Sequence, residues 1–236
     1  MLIKGFQKLS MIDYPGLTSS VIFFFGCNFR CHFCHNPELL EEAKSAELGL
    51  KTYTEEEILN YLEENLGFID GVVITGGEPT INLGLPEFIR KVYELGLKVK
   101  LDTNGTNPEM LQFLYEKKWI DFVAMDIKSC FENYEKTVNA KVDLDLIKKS
   151  IDLVKKFPKY EFRITIAPGI TKDDITNIGE YLKSVGANKV LAIQQFRPDK
   201  CYNLEFQEYS KTSDNILDEF VNIAKQYFDS VILRKE

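Results

Sequence analysis

The sequence feature that most constrains the fold is a regular alternation of short apolar runs with segments of helical spacing. Between the runs, apolar residues recur every three or four positions, and capping residues mark three of the helix starts: Thr54 with Glu57, Asn107 before Pro108, and Thr171. A chain that alternates strand and helix in this way pairs its strands in parallel through right-handed crossovers. The six runs interpreted as strands are residues 20–25, 71–75, 98–102, 122–127, 160–166 and 189–195.

Two architectures accommodate six such repeats: an open doubly wound sheet, or an incomplete version of the (β/α)8 barrel. Both are α/β folds with parallel strands, and both place functional residues at the carboxyl ends of those strands. Unusual polar or small residues follow five of the six predicted strands, so we expect them to meet on one face of the sheet. These residues are Cys27, Gly76 to Glu78, Asp102 to Gly105, Asp126 with Lys128, and Arg197.

The chain of 236 residues is expected to form a single domain, because this length suits one core. The turn sequence Asp13-Tyr14-Pro15-Gly16 predicts that residues 1–19 form an N-terminal hairpin, which leads into the α/β core at residues 20–197. Residues 198–236 are expected to add a helix and a short last strand at residues 228–233. The polar stretch at residues 38–53 is interpreted as a loop.

Composition and charge exclude several classes of protein. The formal net charge is −7, from 29 basic and 36 acidic residues, which argues against a broad basic face for nucleic acid. The longest apolar run near the N-terminus, residues 21–25, is far shorter than the roughly 20 residues of a membrane-spanning helix. Residues 1–20 also lack the basic and apolar regions of a signal peptide. We therefore expect a cytoplasmic protein without a nucleic-acid or membrane partner.

The five cysteines are unevenly distributed along the chain. Cys27, Cys31 and Cys34 fall within eight residues, whereas Cys130 and Cys201 stand alone and are expected to be buried or incidental thiols. A disulfide framework would spread its cysteines, so the cluster indicates metal or cluster ligation in a reducing compartment. Three thiolates can hold one [4Fe–4S] cluster and leave one iron without a protein ligand. A zinc site completed by a neighbouring histidine, or a chance grouping, are the alternatives.

Two glycines, Gly76 and Gly77, follow the second predicted strand and precede Glu78. Glycines at a strand end let the backbone approach a ligand closely. Exposed N–H and C=O groups there could hold the ends of an amino acid, and Glu78 could accept a hydrogen bond from its ammonium group. The alternative is a tight turn that only leads into a helix.

Charged residues near the ends of the next three strands form a further candidate ligand site. Asp102 ends an otherwise apolar run, and Asp126 and Lys128 share one face of a strand, since side chains repeat every two residues. Arg163 lies in an alternating strand and could point inward, toward a carboxylate or a ligand, or outward to solvent. For Asp126 and Lys128 the alternative to ligand binding is an internal ion pair between strand ends.

The spacing Cys-x-x-x-Cys-x-x-Cys after an apolar strand resembles the radical S-adenosylmethionine (SAM) superfamily. The longer string of residues 26–36 is similar to that of the activating enzymes of glycyl-radical enzymes. Residues 5–16 and 195–198 resemble the activating proteins of anaerobic ribonucleoside-triphosphate reductases. Activating enzymes of formate lyases carry a histidine near Arg197, whereas the only histidines of this chain are His32 and His35.

The resemblance implies a partial (β/α)6 barrel that binds SAM and one [4Fe–4S] cluster, the latter through Cys27, Cys31 and Cys34. Reduction by flavodoxin or ferredoxin would cleave SAM to methionine and a 5′-deoxyadenosyl radical, which removes a hydrogen atom from a glycine Cα of a partner enzyme. The implied partner is anaerobic ribonucleoside-triphosphate reductase. The alternatives are activation of a formate-lyase-type enzyme, another radical SAM reaction on a peptide or metabolite, and a non-catalytic zinc or iron–sulfur module.

The resemblance also implies which residues surround the cofactors. No catalytic side chain is expected beyond the cluster and SAM, because a radical abstracts the hydrogen. Asp102 and Asp126 are implied to help hold a monovalent cation. The residues implied to bind SAM are Phe33, His35, Asn36, Thr75, Gly76, Gly77, Glu78, Asp102, Asp126, Lys128, Arg163 and Arg197.

Overall fold

The strands of the molecule form an eight-stranded sheet in which spatial order follows chain order; the computed structural model describes residues 1–235. The first two strands pair antiparallel, and every later neighbouring pair is parallel. The six predicted strands are confirmed as β2 to β7, with bounds that differ by at most one residue. The strands are β1 Ile3–Ser10, β2 Ser19–Phe24, β3 Gly71–Gly76, β4 Lys98–Thr103, β5 Phe122–Asp126, β6 Lys159–Ile166, β7 Val190–Gln195 and β8 Ser230–Arg234.

Helices connect the parallel strands and cover the outer face of the sheet. The predicted caps are confirmed, because Thr54, Asn107 and Thr171 each accept a hydrogen bond from the backbone N–H three residues later. The main apolar core lies between these helices and the sheet. The helices are α1 Glu42–Glu47, α2 Glu55–Glu64, α3 Leu85–Glu94, α4 Pro108–Lys117, α5 Tyr134–Val138, α6 Leu144–Val154, α7 Lys172–Ser184 and α8 Asp214–Ala224.

The interpretation of residues 38–53 as only a loop is wrong, since this segment contains α1. A 3-10 turn at Pro37–Leu39 precedes it. The helix is six residues long and its one buried residue is the polar Ser45. Because it presents no apolar stripe to the core, its sequence has no helical periodicity that could be recognised.

The sheet curves into a partial barrel around a set of polar side chains. Arg163 on β6 forms an ion pair with Asp102 on β4, across the intervening β5. Glu161 on β6 pairs in the same way with Arg234 on β8, across β7. Strands two apart are separated by about 9 to 10 Å in a flat sheet, so these short contacts fit a sheet that wraps around the side chains. In the described chain, β1 and β8 are the edge strands of this sheet, and Tyr53 forms an isolated antiparallel bridge with Ile3 on β1.

The predicted N-terminal hairpin closes one end of the barrel interior. β1 runs antiparallel to β2, with Ser10 opposite Ser19. In the turn between them, Tyr14 is buried and belongs to a small apolar cluster with residues of β2, β3 and β5. Its ring meets Phe122 edge-on at a centroid distance of 6.0 Å. Tyr14 therefore fills the amino end of the barrel, opposite the end that carries the unusual polar residues.

At the other edge of the sheet, β8 adds a seventh parallel strand. The predicted last strand at residues 228–233 is thus confirmed with a shift of one to two residues, at Ser230–Arg234. In the part of the chain that the structure covers, no helix is both long and apolar enough to cross a bilayer.

Candidate active site

One pocket at the carboxyl ends of the parallel strands collects nearly all of the predicted site residues. It is lined by the three motif cysteines and by every residue implied to bind SAM except Arg197. Several further lining residues were not among those implied to bind SAM. Among these are Phe29, Thr103, Asn104, Thr165, Gln194, Gln195 and Arg234.

The three cysteines lie on the cluster loop, residues 26–36, which leaves the end of β2. Within this loop the Cys34 N–H donates to the Cys31 carbonyl at 3.0 Å, which forms a tight turn between two of the thiols. The Arg30 guanidinium donates to the carbonyl oxygens of Cys27 and Phe29, at 2.6 and 2.8 Å. These bonds fold the loop so that all three thiols line the same pocket. Soft thiolates are the donors that iron–sulfur clusters require, so this donor set fits a [4Fe–4S] cluster.

The two histidine rings of the cluster loop contact the segment that follows β7, which disfavours a zinc site of three cysteines and one histidine. His32 stacks on Phe206 with ring centroids 5.4 Å apart, and its Nδ1 lies 3.3 Å from the Asn203 amide nitrogen. His35 Nε2 lies 2.9 Å from the Arg197 carbonyl oxygen. Both rings are therefore held by the segment that follows β7.

Burial keeps the motif thiols protonated in the protein without a cluster. Desolvation, followed by the charge of Glu78, raises the pKa of Cys27 to about 12. Desolvation raises the pKa of Cys31 to about 11, although the nearby Lys128 opposes this shift, and burial also raises the pKa of Cys34. Because cluster ligands are thiolates, loading must release these protons to solvent.

These shifts predict slow alkylation of Cys27 in the unloaded protein at pH 8. Since only the thiolate reacts, and burial has raised the pKa, the rate should rise about tenfold per pH unit between pH 8 and 10. Free cysteine should instead level off above about pH 9. Iodoacetamide labelling with peptide mass spectrometry measures both rates. A Cys27 rate that levels off together with that of free cysteine would contradict the raised pKa.

The two glycines at the end of β3 join that strand to the cluster loop. Gly76 has a φ of +115°, and a Cβ on Gly77 would lie 2.0 Å from the Gly26 carbonyl oxygen. The N–H of Gly77 donates to the Phe24 carbonyl at 2.9 Å, and that of Glu78 to the Gly26 carbonyl at 2.8 Å. The expectation that these two N–H groups are exposed for a ligand is therefore wrong. The glycines are needed because two backbone segments touch there.

Glu78 is almost fully buried and connects three loops around the pocket. One carboxylate oxygen accepts from the Thr80 N–H, the Thr80 hydroxyl and the Thr103 hydroxyl, at 3.1, 2.5 and 2.8 Å. The other accepts from the Asn104 N–H at 2.6 Å, and the Asn104 amide in turn donates to Asn28 in the cluster loop at 2.9 Å. Burial raises the pKa of Glu78, while these bonds oppose the shift. These four bonds make Glu78 an anchor between the loops, and the oxygen that accepts only from Asn104 keeps capacity for a further hydrogen bond.

Five charged side chains form a charge network at the pocket: Asp102, Asp126, Lys128 and Arg163, which line it, and Lys100 behind Asp102. Of the inward and outward orientations considered for Arg163, the structure has the inward one. Its Nε lies 2.7 Å from an oxygen of Asp126, and its Nη1 lies 2.9 Å from an oxygen of Asp102. The second oxygen of Asp102 pairs with Lys100 at 2.6 Å, and that of Asp126 with Lys128 at 2.9 Å. Each of the four carboxylate oxygens is therefore paired with a different basic nitrogen, and two of these nitrogens belong to Arg163.

Charge pairing outweighs burial in this network. Desolvation alone would raise the pKa of Asp126, but the positive charges of Arg163 and Lys128 hold it well below its usual range. The pKa of Asp102 is lowered in the same way by Arg163 and Lys100. Burial would lower the pKa of Arg163 and of Lys128, yet the carboxylates raise both. The carboxylates are thus ionised at neutral pH.

Sequence analysis did not identify Lys100 as a site residue. It lies in the predicted strand two positions before Asp102, so the two side chains share one face. A lysine flanked by Val99 and Leu101 inside an apolar run is the signal that could have revealed it.

Arg197 is the predicted SAM-binding residue whose side chain lies outside the pocket. Its guanidinium pairs with Asp199 at 2.8 Å and is partly exposed. The segment that it begins packs on the back of the cluster loop. There the N–H groups of Tyr202 and Asn203 donate to carbonyls of the cluster loop, each at 3.0 Å. Residues 197–203 therefore support the thiol ligands from behind, a role that the sequence did not indicate.

Comparison with known sequences identifies the family. The chain matches the radical SAM superfamily over residues 21–182. A Methanocaldococcus jannaschii protein named as a candidate glycyl-radical enzyme activating enzyme is 39% identical over 239 residues, which cover 99% of this chain and 95% of the relative. The pyruvate formate-lyase-activating enzyme of Clostridium pasteurianum is 28% identical over 195 residues, which cover 78% of this chain and 76% of the relative.

Solved structures share the fold at low sequence identity. SuiB of Streptococcus suis, solved with its precursor peptide SuiA, has a TM-score of 0.68 at 14% identity over 91% of this chain, which spans about half (48%) of SuiB. A domain of a pyruvate-formate lyase-activating enzyme from Bacteroides vulgatus has a TM-score of 0.57 at 19% identity, covering 70% of this chain and 99% of that domain. These likenesses concern the fold alone. With its sequence match and its 39% identical relative, the chain belongs to the radical SAM superfamily, in the group of glycyl-radical enzyme activating enzymes.

Proposed function

We propose that this protein uses SAM and one [4Fe–4S] cluster to abstract a hydrogen atom from a glycine Cα of a partner glycyl-radical enzyme. The observation that carries the proposal is the convergence of Cys27, Cys31 and Cys34 with the charge network in one pocket of this fold. When bound, the cluster would pass one electron to SAM, whose C–S bond breaks to give methionine, and the glycine hydrogen would end in 5′-deoxyadenosine.

The charges of the pocket wall support binding of the amino-acid end of SAM. Two of the three basic side chains of the network, Lys128 and Arg163, line the pocket and can donate hydrogen bonds to an anionic ligand group. Lys128 and Arg163 are the basic residues of this set that were expected to bind SAM, and we propose that they hold its carboxylate. The other proposed SAM-binding residues that line the pocket are Phe33, His35, Asn36, Thr75, Gly76, Gly77 and Glu78.

The open side of the barrel supports a polypeptide substrate. β1 and β8 are the first and last strands of the sheet order, and Arg234 on β8 lines the pocket. We propose that a loop of another protein reaches the pocket from the side, between these two edge strands. A closed barrel would admit small molecules only through its end.

We propose anaerobic ribonucleoside-triphosphate reductase as the partner, with flavodoxin or ferredoxin as the electron donor. Support comes from residues 5–16, which resemble the reductase type and build the hairpin with its buried Tyr14. The presence of Arg197 where formate-lyase activating enzymes carry a histidine also favours the reductase. The relative from Clostridium pasteurianum makes a formate-lyase-type enzyme the second candidate.

We also propose that the protein works in the cytoplasm. Three thiolates that hold an oxygen-sensitive group suit that reducing compartment.

Anaerobic reconstitution with iron and sulfide tests the proposal. We expect an electron paramagnetic resonance (EPR) signal of the reduced cluster that changes when SAM is added. With the reductase from the same organism, a glycyl-radical signal should appear on the reductase, and deuterium from labelled glycine should enter 5′-deoxyadenosine. A reductase variant with alanine at the radical glycine is the control.

Two outcomes would overturn parts of the proposal. Radical formation on a formate-lyase-type enzyme, but not on the reductase, would replace the proposed partner. A protein that retains zinc, stays colourless and does not bind SAM would instead be a metal-stabilised binding module.

A further inference from the structure

Basic side chains already pair with all four carboxylate oxygens of Asp102 and Asp126. Each oxygen lies within 2.9 Å of a side-chain nitrogen from Lys100, Lys128 or Arg163. A monovalent cation between the two carboxylates, which the family resemblance implies, would need these oxygens as ligands. It would also lie next to an ammonium group and a guanidinium group. The arrangement therefore does not fit a bound alkali ion.

Lys100 is more deeply buried than most lysines are. Its residue is 3% exposed, and its ammonium lies 5.6 Å from the centroid of the Phe122 ring. Among residues 1–235 its one ion-pair partner is Asp102, at 2.6 Å. Lysines are rarely this deeply buried unless they are paired. The position thus places an ammonium group at the inner side of the Asp102 carboxylate.

We propose that Lys100, together with Arg163, supplies from within the chain the positive charge that an alkali ion would otherwise provide at Asp102 and Asp126. Lys100 is a positioning residue, because it acts through Asp102, which in turn orients the guanidinium of Arg163 toward the pocket. SAM binding by this protein would then be independent of Na⁺ and K⁺. This inference rests on the proposed function in so far as SAM is the ligand.

The test measures SAM binding by the cluster-loaded protein with equilibrium dialysis. Three buffers of equal ionic strength contain Na⁺, K⁺ or tetramethylammonium as the cation. Because the internal charges persist in every buffer, the affinity of the unmodified protein should agree within about twofold. Lys100→Met should bind SAM about tenfold more weakly in tetramethylammonium, with recovery in K⁺ or Na⁺, since an ion can enter the vacated place.

Two matched variants separate this role from a structural one. Lys100→Arg keeps the charge and should remain independent of the salt. Lys98→Met removes a largely exposed lysine of the same strand, which pairs with Asp121 at 2.8 Å, and should behave as the unmodified protein does. A salt response shared by Lys98→Met would come from the solvent and would overturn the assignment to Lys100.

The unmodified protein alone can overturn the inference, even if Lys100→Met does not fold. A loss of SAM affinity of about tenfold or more when tetramethylammonium replaces K⁺ would show that an alkali ion is needed. If SAM binds in none of the buffers, the proposed function fails instead. The thermal unfolding midpoint of the SAM-free protein then tests the inference. A midpoint that is higher in K⁺ than in tetramethylammonium, both for the unmodified protein and for Lys98→Met but not for Lys100→Arg, would place an ion at the network. That result would overturn the inference.

Discussion

Replacing Cys31 with alanine is expected to abolish both the iron–sulfur chromophore and the formation of 5′-deoxyadenosine. Cys31 is the middle cysteine of the motif, is 7% exposed, and lies in the turn closed by the bond from Cys34 to its carbonyl. Without it only two thiols of the cluster loop remain. Loss of groups that merely orient metal ligands costs 10- to 100-fold, so removal of a ligand should lower SAM cleavage by more than about a hundredfold.

Iron content, visible absorbance and chromatographic assay of 5′-deoxyadenosine after anaerobic reconstitution measure this effect. The matched control is Cys201→Ala, which removes a thiol that is 1% exposed and adjoins Tyr202, whose N–H donates to Cys34. This control should retain the cluster, because Cys201 lies outside the motif. Continued SAM cleavage by Cys31→Ala would show that the cluster ligands have been assigned to the wrong residues.

Replacing Arg163 with methionine is expected to destabilise the unloaded protein and to abolish SAM binding. The side chain is 11% exposed and is the shared partner of Asp102 and Asp126. Its removal leaves two buried carboxylates close together, each with one basic partner. Removal of one member of a buried ion pair costs about 3 to 5 kcal/mol in the free energy of unfolding. Urea denaturation measures the stability, and equilibrium dialysis measures SAM binding.

The pH dependence of stability distinguishes this cause from loss of packing. In the folded protein the pKa values of Asp102 and Asp126 are lowered, so these carboxylates stabilise the fold above their unfolded pKa of about 3.9. That contribution is lost as pH falls through the folded pKa values. Without Arg163 the folded pKa values rise, and the variant should gain less stability than the unmodified protein between about pH 3 and 6.

Arg90→Met is the matched control for this substitution. Arg90 also pairs with two carboxylates, Glu87 and Glu94, but all three side chains lie largely in solvent on α3. Exposed pairs contribute at most about 1 kcal/mol, so this variant should stay close to the unmodified protein at every pH. If the two variants lost equal stability, burial of the charge network would not be the source of the effect.

The sequence allowed accurate prediction wherever a regular period or a local cap carried the information. β2 to β7 follow apolar runs, and Thr54, Asn107 and Thr171 cap helices by contacts within four residues. α1 was missed because a short helix that buries only Ser45 has no periodicity. Local sequence therefore predicts an element that has a regular period or a cap, and it does not predict a short helix that lacks both.

The composition of the pocket could be predicted more fully than its internal contacts. Rules for the carboxyl ends of parallel strands, with the motif resemblance, placed the thiols and the charged residues together. Which group bonds to which depends on contacts between distant strands. Glu78 therefore proved to be an anchor between loops, and Lys100 proved to be a partner of Asp102. The side chain of Arg197 lies outside the pocket, where it pairs with Asp199. The backbone carbonyl of Arg197, rather than its guanidinium, contacts the cluster loop at His35.

The agreement between strand order and chain order also governs how the protein matures during synthesis. Every strand pairs with its predecessor, so the sheet can grow as the chain leaves the ribosome, and its first hairpin can form early. The thiols emerge near the beginning, whereas Arg163 and the supporting segment at residues 197–203 emerge much later. A nascent chain would thus display ligands before it can shield them. Insertion of iron and sulfide is best timed after release of the finished polypeptide.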